Sequence, residues 1–319
     1  MIKQTKVGLE TRTHANPYYI DGFLPLITSN MYSVVGEENY ELFLKNKINV
    51  ALPRGCKTIK NNNTWNSFTI SEFETLLETD NFESTNILID CANGNNPKLH
   101  SLIERAKAKY GESIKIMSGN VSSVEAFIEL ANSGCDYIRV GVGGSSSCNT
   151  TKNTGVGQHN LGQLIERCYN FKEISLNINK NVKIVADGIS NYVTYCSKEY
   201  GFLDNGYAAI NKLLNLGADY IMIGKLFAQC TESSGEKTST IYGLKVNYQG
   251  MSTKEAQSKY NTVFKHSEGN SALIDVKWGL EEWLNGSLSE PDYLPGFINC
   301  LKSAMAYVGT KEIEDFKGE

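Results

Sequence analysis

Residues 136–157 read DYIRVGVGGSSSCNTTKNTGVG, a short β-branched run that breaks into glycines, serines and a cysteine. The run over 136–142 is typical of a strand buried on both faces. The glycines after it let the backbone bend sharply and bring its N–H groups close to a ligand, and the serines add hydroxyl donors. Cys148, at the end of this loop, would then lie beside the ligand. The alternative is a flexible Gly/Ser loop with an incidental cysteine.

Short apolar segments like this one recur along the chain and alternate with amphipathic segments. The predicted strands are Leu24–Thr28, Ile48–Leu52, Ser67–Ile70, Asn86–Asp90, Ile114–Met117, Tyr137–Val142, Val182–Ala186 and Tyr220–Ile223. Predicted helices between them include Asn96–Tyr110, Val121–Ser133 and Ala208–Leu216, the last closed by Gly217. Eight strands that alternate with helices favour a parallel (β/α)₈ TIM barrel. An open doubly wound sheet is the alternative.

In a parallel barrel, functional residues collect where the strands end. Glycine and polar residues follow the strands here: Asp90-Cys91-Ala92-Asn93-Gly94, Ser118-Gly119-Asn120, the cysteine loop, Asp187-Gly188 and Gly224-Lys225. Residues 229–292, after the eighth predicted strand, are rich in Ser, Thr, Gly and Asn. So long a loop-rich insertion predicts a lid or binding flap, or disorder. Residues 294–308 predict the final barrel helix.

Composition excludes several other classes of protein. The formal net charge of −4 over 319 residues gives no basic footprint for nucleic acid. No apolar run reaches the roughly 18 residues of a membrane span, and the first residues lack a signal-peptide core. The eight cysteines form no C-x-x-C pair, which indicates reduced thiols and a cytoplasmic location rather than a zinc site or disulfides. We therefore expect a single domain over 1–319.

Several separated motifs resemble, in order, those of the IMP dehydrogenase/GMP reductase family, and more closely its GMP reductase branch. They are IDCANG (89–94), SGNV (118–121), RVGVGGSSSCNTTKNTGVG (139–157), ADG (186–188), IMIG (221–224), TESSGE (231–236), YQGMS (248–252), HSEG (266–269) and MAYVG (305–309). The resemblance implies a (β/α)₈ barrel that binds a purine nucleotide monophosphate (GMP or IMP) and NADPH. It also implies that the chain forms a homotetramer, because members of this family are commonly tetrameric.

The resemblance further implies a set of residue roles. Cys148 would form a covalent thioimidate with purine C2, Thr150 would relay a proton, and Glu268 would assist the release of ammonia. The residues implied in substrate binding are Ser146, Asp187, Gly188, Gly224, Lys225, Gly250, Met251, Ser252, Ser267 and Gly269. Those implied in NADPH binding are Arg12, Arg54, Asp90, Cys91, Ala92 and Gly143. The carbonyls of Gly141, Gly143 and Cys148 match a monovalent-cation (K⁺) site.

The branch of the family is argued from two absences in the sequence. Only Pro53–Asn66 separates the second and third predicted strands, so the regulatory (CBS) domain that most IMP dehydrogenases insert there does not fit. The flap also lacks the Arg-Tyr pair with which dehydrogenases activate water. The leading prediction is NADPH-dependent reductive deamination of GMP. The alternatives are an IMP dehydrogenase without its regulatory domain, a reductase acting on a modified or deoxy guanine nucleotide, and a catalytically idle nucleotide-binding barrel.

Overall fold

A computed structural model describes residues 1–6, 8–145, 148–176, 178–251, 253–258, 269–287 and 294–318. Its centre is an eight-stranded parallel sheet whose strands lie in chain order around a ring. The strands are Leu26–Thr28 (β1), Val50–Leu52 (β2), Thr64–Phe68 (β3), Asn86–Ile89 (β4), Lys115–Val121 (β5), Tyr137–Val140 (β6), Lys183–Ala186 (β7) and Tyr220–Ile223 (β8).

The ring closes where the first strand meets both the last and the second. β1 pairs with β8 over its whole length, from Leu26 opposite Ile221 to Thr28 opposite Ile223. Towards β2 the contact is a single parallel bridge between Ile27 and Asn49. There the Thr28 hydroxyl also accepts a hydrogen bond of 2.9 Å from the N–H of Ala51. The predicted (β/α)₈ barrel is therefore confirmed, and the open-sheet alternative is wrong.

Helices surround this ring and connect its strands. The first eight helices are Tyr40–Lys45 (α1), Ile70–Thr79 (α2), Pro97–Tyr110 (α3), Val124–Asn132 (α4), Thr150–Thr154 (α5), Leu161–Ile174 (α6), Ser190–Tyr200 (α7) and Tyr207–Asn215 (α8). Those that follow are Lys225–Ala228 (α9), Lys254–Ser258 (α10), Leu280–Asn285 (α11) and Phe297–Val308 (α12). The predicted final helix begins later than expected, at Phe297, because Pro295 and Gly296, with φ of 80°, precede it.

The third strand lies earlier in the chain than predicted. The sequence reading placed it at Ser67–Ile70, whereas β3 ends at Phe68 and α2 begins at Ile70. Thr69 and Glu72 form a capping box, since the Thr69 hydroxyl accepts from the Glu72 N–H at 3.1 Å. The Glu72 carboxylate in turn accepts from the Thr69 N–H at 2.6 Å. This Thr-x-x-Glu start signal turns Ile70 into the first helical residue.

The segment after β8 is more ordered than the predicted loop-rich insertion. It contains a three-stranded antiparallel sheet made of Lys237–Thr240 (β9), Gly243–Gln249 (β10) and Ser271–Asp275 (β11). Alternate side chains of β10 are buried, with Val246 at 0% and Tyr248 at 2% exposure, because one face of this sheet packs on the barrel. Two of the four residues of β9 and four of the five residues of β11 are exposed, and neither sequence alternates apolar and polar residues.

Two apolar layers hold the barrel together. The larger layer packs the outer face of the sheet against the helices. The smaller fills the interior of the ring with side chains from seven of the strands, namely Ile27, Ala51, Trp65, Leu88, Met117, Val185, Tyr220 and Met222. Because the interior is filled with side chains, the open space lies above them, where the strands end.

A buried carboxylate fixes the opposite end of the barrel. Asp219 is 1% exposed and accepts a hydrogen bond of 2.7 Å from the Ile184 N–H. The ammonium groups of Lys317, Lys183 and Lys172 lie 2.5, 3.6 and 4.0 Å from its oxygens. Burial alone would raise the pKa of Asp219, but the three lysines outweigh it and lower that pKa below its ordinary value. Lys317 thereby ties the C-terminal segment to the barrel.

No helix within these described ranges is long and apolar enough to cross a bilayer.

Candidate active site

A cavity of about 420 Å³ opens at the carboxyl ends of the strands. That volume lies within the range of about 300–1,000 Å³ typical of small-molecule sites. Its wall includes residues that the sequence placed in four separate roles: Cys148, Thr150, Asp187, Gly188, Gly224, Gly250, Met251, Arg54, Asp90, Cys91, Ala92, Gly141 and Gly143. Residues spread over 198 positions from Arg54 to Met251 thus share one space, which we call the main cavity.

Cys148 is a half-buried free thiol on the loop after β6. Its sulfur lies 3.3 Å from the Thr150 hydroxyl, at the first residue of α5. Its backbone N–H donates to the Ser145 carbonyl at 3.1 Å, so the loop turns back just before the cysteine. The arrangement places a thiol and a hydroxyl group side by side at the cavity wall.

The wall between β6 and β7 is built from backbone in close contact. A Cβ atom added at Gly141 would lie 2.3 Å from the Asp187 carbonyl, and one added at Gly144 would lie 2.2 Å from the Gly188 carbonyl. Gly141 also has φ of 130°, a conformation that other residues rarely adopt. Glycine is therefore required at both positions to bring the two loops together. This close approach explains why Gly141 and Gly144 occur in the loop before Cys148.

Asp187 is held in place by two donors. Its Oδ1 accepts from the Gly188 N–H at 2.6 Å, and its Oδ2 accepts from the Asn120 side-chain amide at 2.8 Å. The same Asn120 amide donates to the Gly141 carbonyl at 2.7 Å, linking the loops after β5, β6 and β7. A carboxylate has about four acceptor positions, so Asp187 retains capacity for the hydroxyls of a sugar.

A charge cluster made of Asp90, Arg54 and Arg139 lines the main cavity next to Asp187, whose carboxylate lies 4.0 Å from Arg139. One Asp90 oxygen lies 3.1 Å from Arg139 and the other 3.3 Å from Arg54. Arg139 is 3% exposed, and its Nε has no hydrogen-bond partner among the residues that the structure describes. Burial alone would raise the pKa of Asp90, but the two guanidinium charges hold it below its ordinary value. Asp90 is therefore an anion at neutral pH.

Cys91 is the second thiol of the main cavity. Its sulfur lies 3.3 Å from the carbonyls of Asn93 and Gly119 and donates to them. Burial raises the pKa of the Cys91 thiol to about 11. A thiol in that state is not a nucleophile at neutral pH, so Cys91 shapes the wall and Cys148 is the candidate for chemistry.

Sequence reasoning missed several residues that line the main cavity. They include Ser29, Asn30, Met31, Arg139, Ile189, Ser190, Met222, Tyr248 and Gln257. Tyr248 reaches in from β10, and its hydroxyl lies 3.3 Å from the Ser145 hydroxyl. A Cβ added at Gly224 would lie 2.9 Å from the Tyr248 oxygen. The tyrosine stands inside the YQGMS motif, but a buried aromatic residue on a strand is usually core, so the motif alone did not single it out.

The remaining predicted site residues fall into three groups. Arg12 and Lys225 are not part of the main cavity wall. Gly269 forms an antiparallel bridge with Cys148, so the residue that follows Glu268 in the sequence is paired with the cysteine. Ser146, Ser252, Ser267 and Glu268 lie outside the described residues.

Two of the three carbonyls assigned to a cation, those of Gly141 and Gly143, already have partners. The Gly141 carbonyl accepts from Asn120 at 2.7 Å, and the Gly143 carbonyl accepts from the Asn191 side-chain amide at 3.2 Å. Each carbonyl oxygen has a second lone pair, so the cation site stays a prediction. No cluster of three or more His, Cys, Asp or Glu side chains suited to a metal occurs among the described residues.

The fold and this cavity define a (β/α)₈-barrel protein with a thiol among polar groups at the carboxyl ends of its strands. Comparison with known families makes the assignment specific, since residues 71–319 match the family model described as the IMP dehydrogenase / GMP reductase domain. The chain therefore belongs to the IMP dehydrogenase/GMP reductase family.

Relatives with both names resemble the chain at similar identity. An inosine-5'-monophosphate dehydrogenase of Borreliella burgdorferi is 28% identical over 271 residues, covering 83% of this chain and 61% of that protein. A GMP reductase of Phytophthora infestans is 28% identical, covering 72% and 56%, and one of Onchocerca volvulus is 30% identical, covering 72% and 55%. The chain thus spans between 55% and 61% of the length of these relatives.

Proposed function

We propose that the chain catalyses the NADPH-dependent reductive deamination of GMP to IMP and ammonia through a thioimidate on Cys148. The observation that carries this proposal is the pairing of the Cys148 sulfur with the Thr150 hydroxyl at 3.3 Å. That pair shares one cavity with the Asp187 carboxylate and with backbone at Gly188 and Gly224.

The first step exchanges nitrogen for sulfur at purine C2. The Cys148 thiolate attacks C2, the sulfur–carbon bond forms, and the bond from C2 to the amino nitrogen breaks. Ammonia is a poor leaving group until a proton reaches that nitrogen. Thr150 is placed to pass this proton, and we assign Glu268 as its partner on the strength of the HSEG motif. Gly269 of that motif is paired with Cys148.

The second step exchanges sulfur for hydrogen at the same carbon. A bound nicotinamide cofactor would supply a hydride to C2; the sulfur–carbon bond then breaks and Cys148 leaves as a thiolate. The wall residues fit such a cofactor, because Asp90 is a half-buried anion at the cavity wall that can accept bonds from ribose hydroxyls. Arg54 beside it can hold a phosphate. Arg54, Asp90, Cys91 and Ala92 are thus the proposed cofactor contacts in the main cavity.

The nucleotide is proposed to lie across the other side of the cavity. Asp187 would accept from the ribose hydroxyls, and the backbone at Gly188 and Gly224 would approach the phosphate, a placement common after the seventh and eighth strands of barrels. Gly250 and Met251 would meet the purine edge. K⁺, the homotetramer and the cytoplasmic location rest on the family resemblance and stay predictions.

Two features of this chain favour the reductase over the dehydrogenase. Only residues 53–63 separate β2 from β3, which leaves no room for a domain at that point. Residues 229–292 contain no arginine and therefore no Arg-Tyr pair to activate water. A dehydrogenase needs that water to hydrolyse its adduct, whereas the reductase needs none.

A substrate panel tests the proposal directly. The purified chain should oxidise NADPH with GMP and release one ammonia per IMP formed, with products identified by mass, and Cys148→Ala should do neither. Formation of XMP from IMP and NAD without any GMP reaction would establish the dehydrogenase instead. Turnover of only a deoxy or modified guanine nucleotide would keep the chemistry and change the substrate, and binding without turnover of any nucleotide would indicate the idle barrel.

A further inference from the structure

A second cavity lies behind the backbone wall of the main one. It encloses about 180 Å³ and shares Val142, Gly143, Gly144 and Gly188 with the main cavity. We call it the rear cavity. Because glycines have no side chain, the partition between the two spaces at Gly143 and Gly144 is one backbone thick.

The rear cavity is lined by side chains that have unused hydrogen-bonding atoms. The Gln158 carbonyl oxygen accepts from the Val142 N–H at 2.7 Å, and the Asn160 oxygen accepts from the Gln163 N–H at 3.1 Å. Their NH₂ groups have no hydrogen bond to another described residue. Asn191 is the reverse case, since its NH₂ is bound to Gly143 and its oxygen is unused. The lining thus offers both donors and an acceptor.

An aromatic surface completes the lining. Tyr192 and Tyr195 of α7 stack with ring centroids 6.1 Å apart and planes 30° apart. Tyr192 is buried, whereas Tyr195 is 40% exposed and can present a ring face or edge to a ligand. The exposed His159 lies beside them. Planar bases bind proteins by stacking on such rings while amides read their edges.

The charge and the size of the rear cavity limit the class of ligand that it can bind. None of the described residues that line it is Asp, Glu, Lys or Arg, so it offers no carboxylate, ammonium or guanidinium group to pair with a charged ligand, and its amides suit a neutral one. Its volume is below that of sites for drug-sized molecules, which excludes a whole nucleotide. We propose that the rear cavity binds a neutral, planar nitrogen heterocycle of one or two rings, of the nucleobase type.

Such a ligand would act on the wall of the main cavity through Asn191. This residue holds the partition from behind, its N–H donating to the Gly144 carbonyl at 2.9 Å and its amide to the Gly143 carbonyl at 3.2 Å. A ligand that donates to the Asn191 oxygen stiffens the residue that positions both carbonyls. The inference goes beyond the proposed function and does not depend on which reaction the main cavity performs.

The test uses 2-aminopurine free base as a fluorescent probe, with adenine as competitor. Titration of the full chain should show a saturable component that Tyr195→Ala weakens at least about fivefold, the lower end of the loss of one stacked base. His159→Ala should weaken it about two- to tenfold, the scale of one hydrogen bond. Tyr307→Ala, which removes a tyrosine that is 62% exposed on α12, is the matched control and should leave it unchanged.

Variants of the main cavity show where the probe binds. In the Cys148→Ala variant, the component of 2-aminopurine binding that depends on Tyr195 should be unchanged. A second binding component, if one occurs, would belong to the main cavity. Circular dichroism checks folding, and Tyr195→Leu replaces Tyr195→Ala should the latter unfold. The proposal is overturned if neither base binds at millimolar concentration, or if no binding component responds to the Tyr195 and His159 variants. None of these measurements requires turnover, so their failure is distinct from failure of the proposed reaction.

Discussion

The charge cluster of Asp90, Arg54 and Arg139 makes a quantitative prediction about stability. Asp90→Asn keeps the shape of the side chain and removes the only negative charge that lies within 3.5 Å of Arg139 in the described structure. Arg139 is 3% exposed and would stay charged, because guanidinium groups are not deprotonated in proteins. The variant therefore leaves a buried cation without its close counter-ion.

The loss of unfolding free energy depends on the polar contacts that Arg139 retains in the variant. Breaking a buried ion pair by removing one partner costs about 3–5 kcal/mol. Arg139 retains a bond to the Asn30 oxygen at 3.4 Å and the more distant Asp187 at 4.0 Å, and Arg54 is 21% exposed to water. We therefore expect a loss of about 2–3 kcal/mol in the free energy of unfolding. For a chain of this size that lowers the melting temperature by about 5 °C.

The assay is urea unfolding at pH 7 of three variants beside the parent chain. Asp204→Asn is the matched control, because Asp204 also forms an ion pair, with Lys277 at 2.5 Å, but is 73% exposed. Such surface pairs contribute about 0–1 kcal/mol. The double variant Asp90→Asn/Arg139→Gln removes both buried charges and should recover stability relative to Asp90→Asn alone, by about 0.5–3 kcal/mol.

The dependence on pH has a definite sign. The pKa of Asp90 is lowered in the folded chain, so its contribution is present above the unfolded pKa of about 3.9 and is lost as pH falls through the folded value. The difference between parent and Asp90→Asn should thus be constant from pH 7 to about pH 5 and fade below about pH 4. Equal losses for Asp90→Asn and Asp204→Asn would refute the reasoning, as would a double variant less stable than Asp90→Asn.

Three further predictions concern the chemistry and the far end of the barrel. Cys148→Ala should abolish NADPH oxidation yet retain nucleotide binding by calorimetry, and activity above a few per cent would exclude Cys148 as the nucleophile. Thr150→Val and Glu268→Gln should each slow ammonia release about 10²–10⁴-fold, with Thr75→Val as an exposed helical control. The reverse half-reaction, IMP with NADP⁺ forming the adduct, should fall far less by rapid mixing, and equal losses in both halves would contradict a proton relay. Asp219→Asn should cost about 3–5 kcal/mol at pH 7. Because the folded pKa of Asp219 is lowered, that cost should begin to fade below the unfolded pKa of about 3.9 and be lost as pH falls through the folded value, and a cost unchanged at pH 3 would contradict the assignment.

The fold was predictable because the barrel strands are short, apolar and buried on both faces. β8 lies where the YIMI segment predicted it, since nothing in its surroundings competes with the strand pattern. β3 was displaced because the Thr69–Glu72 capping box outweighed the apolar Ile70. The antiparallel sheet escaped prediction because β9 and β11 are mostly exposed and carry no alternation of apolar and polar residues. These two strands therefore lack the alternating pattern by which a half-buried strand is predicted.

The parts of the site that depend on the backbone of a sequence motif could be predicted from the sequence. The contacts between side chains that are distant in the sequence could not. The glycines around Cys148 indicated a close backbone approach, and the structure shows one. Arg139 stood in the middle of a strand sequence, with Asp90 as its partner 49 residues earlier in the chain. No local spacing reveals such a pair. Tyr248 was hidden for the same reason, because its hydroxyl meets Ser145 across a separation of 103 residues.

The pairing of the first strand with the last also determines when β1 can form its ladder during synthesis of the chain. β1 ends at Thr28, yet its full ladder forms only with β8, which ends at Ile223. At about 5–20 residues per second of synthesis, the first strand waits about 10–40 s for its partner. Over that interval Asn49 supplies the only bridge to β1 that the described structure shows from its other neighbour. The amino-terminal edge of the half-made ring is thus an open strand, whose unpaired N–H and C=O groups can pair with another chain until β8 is made.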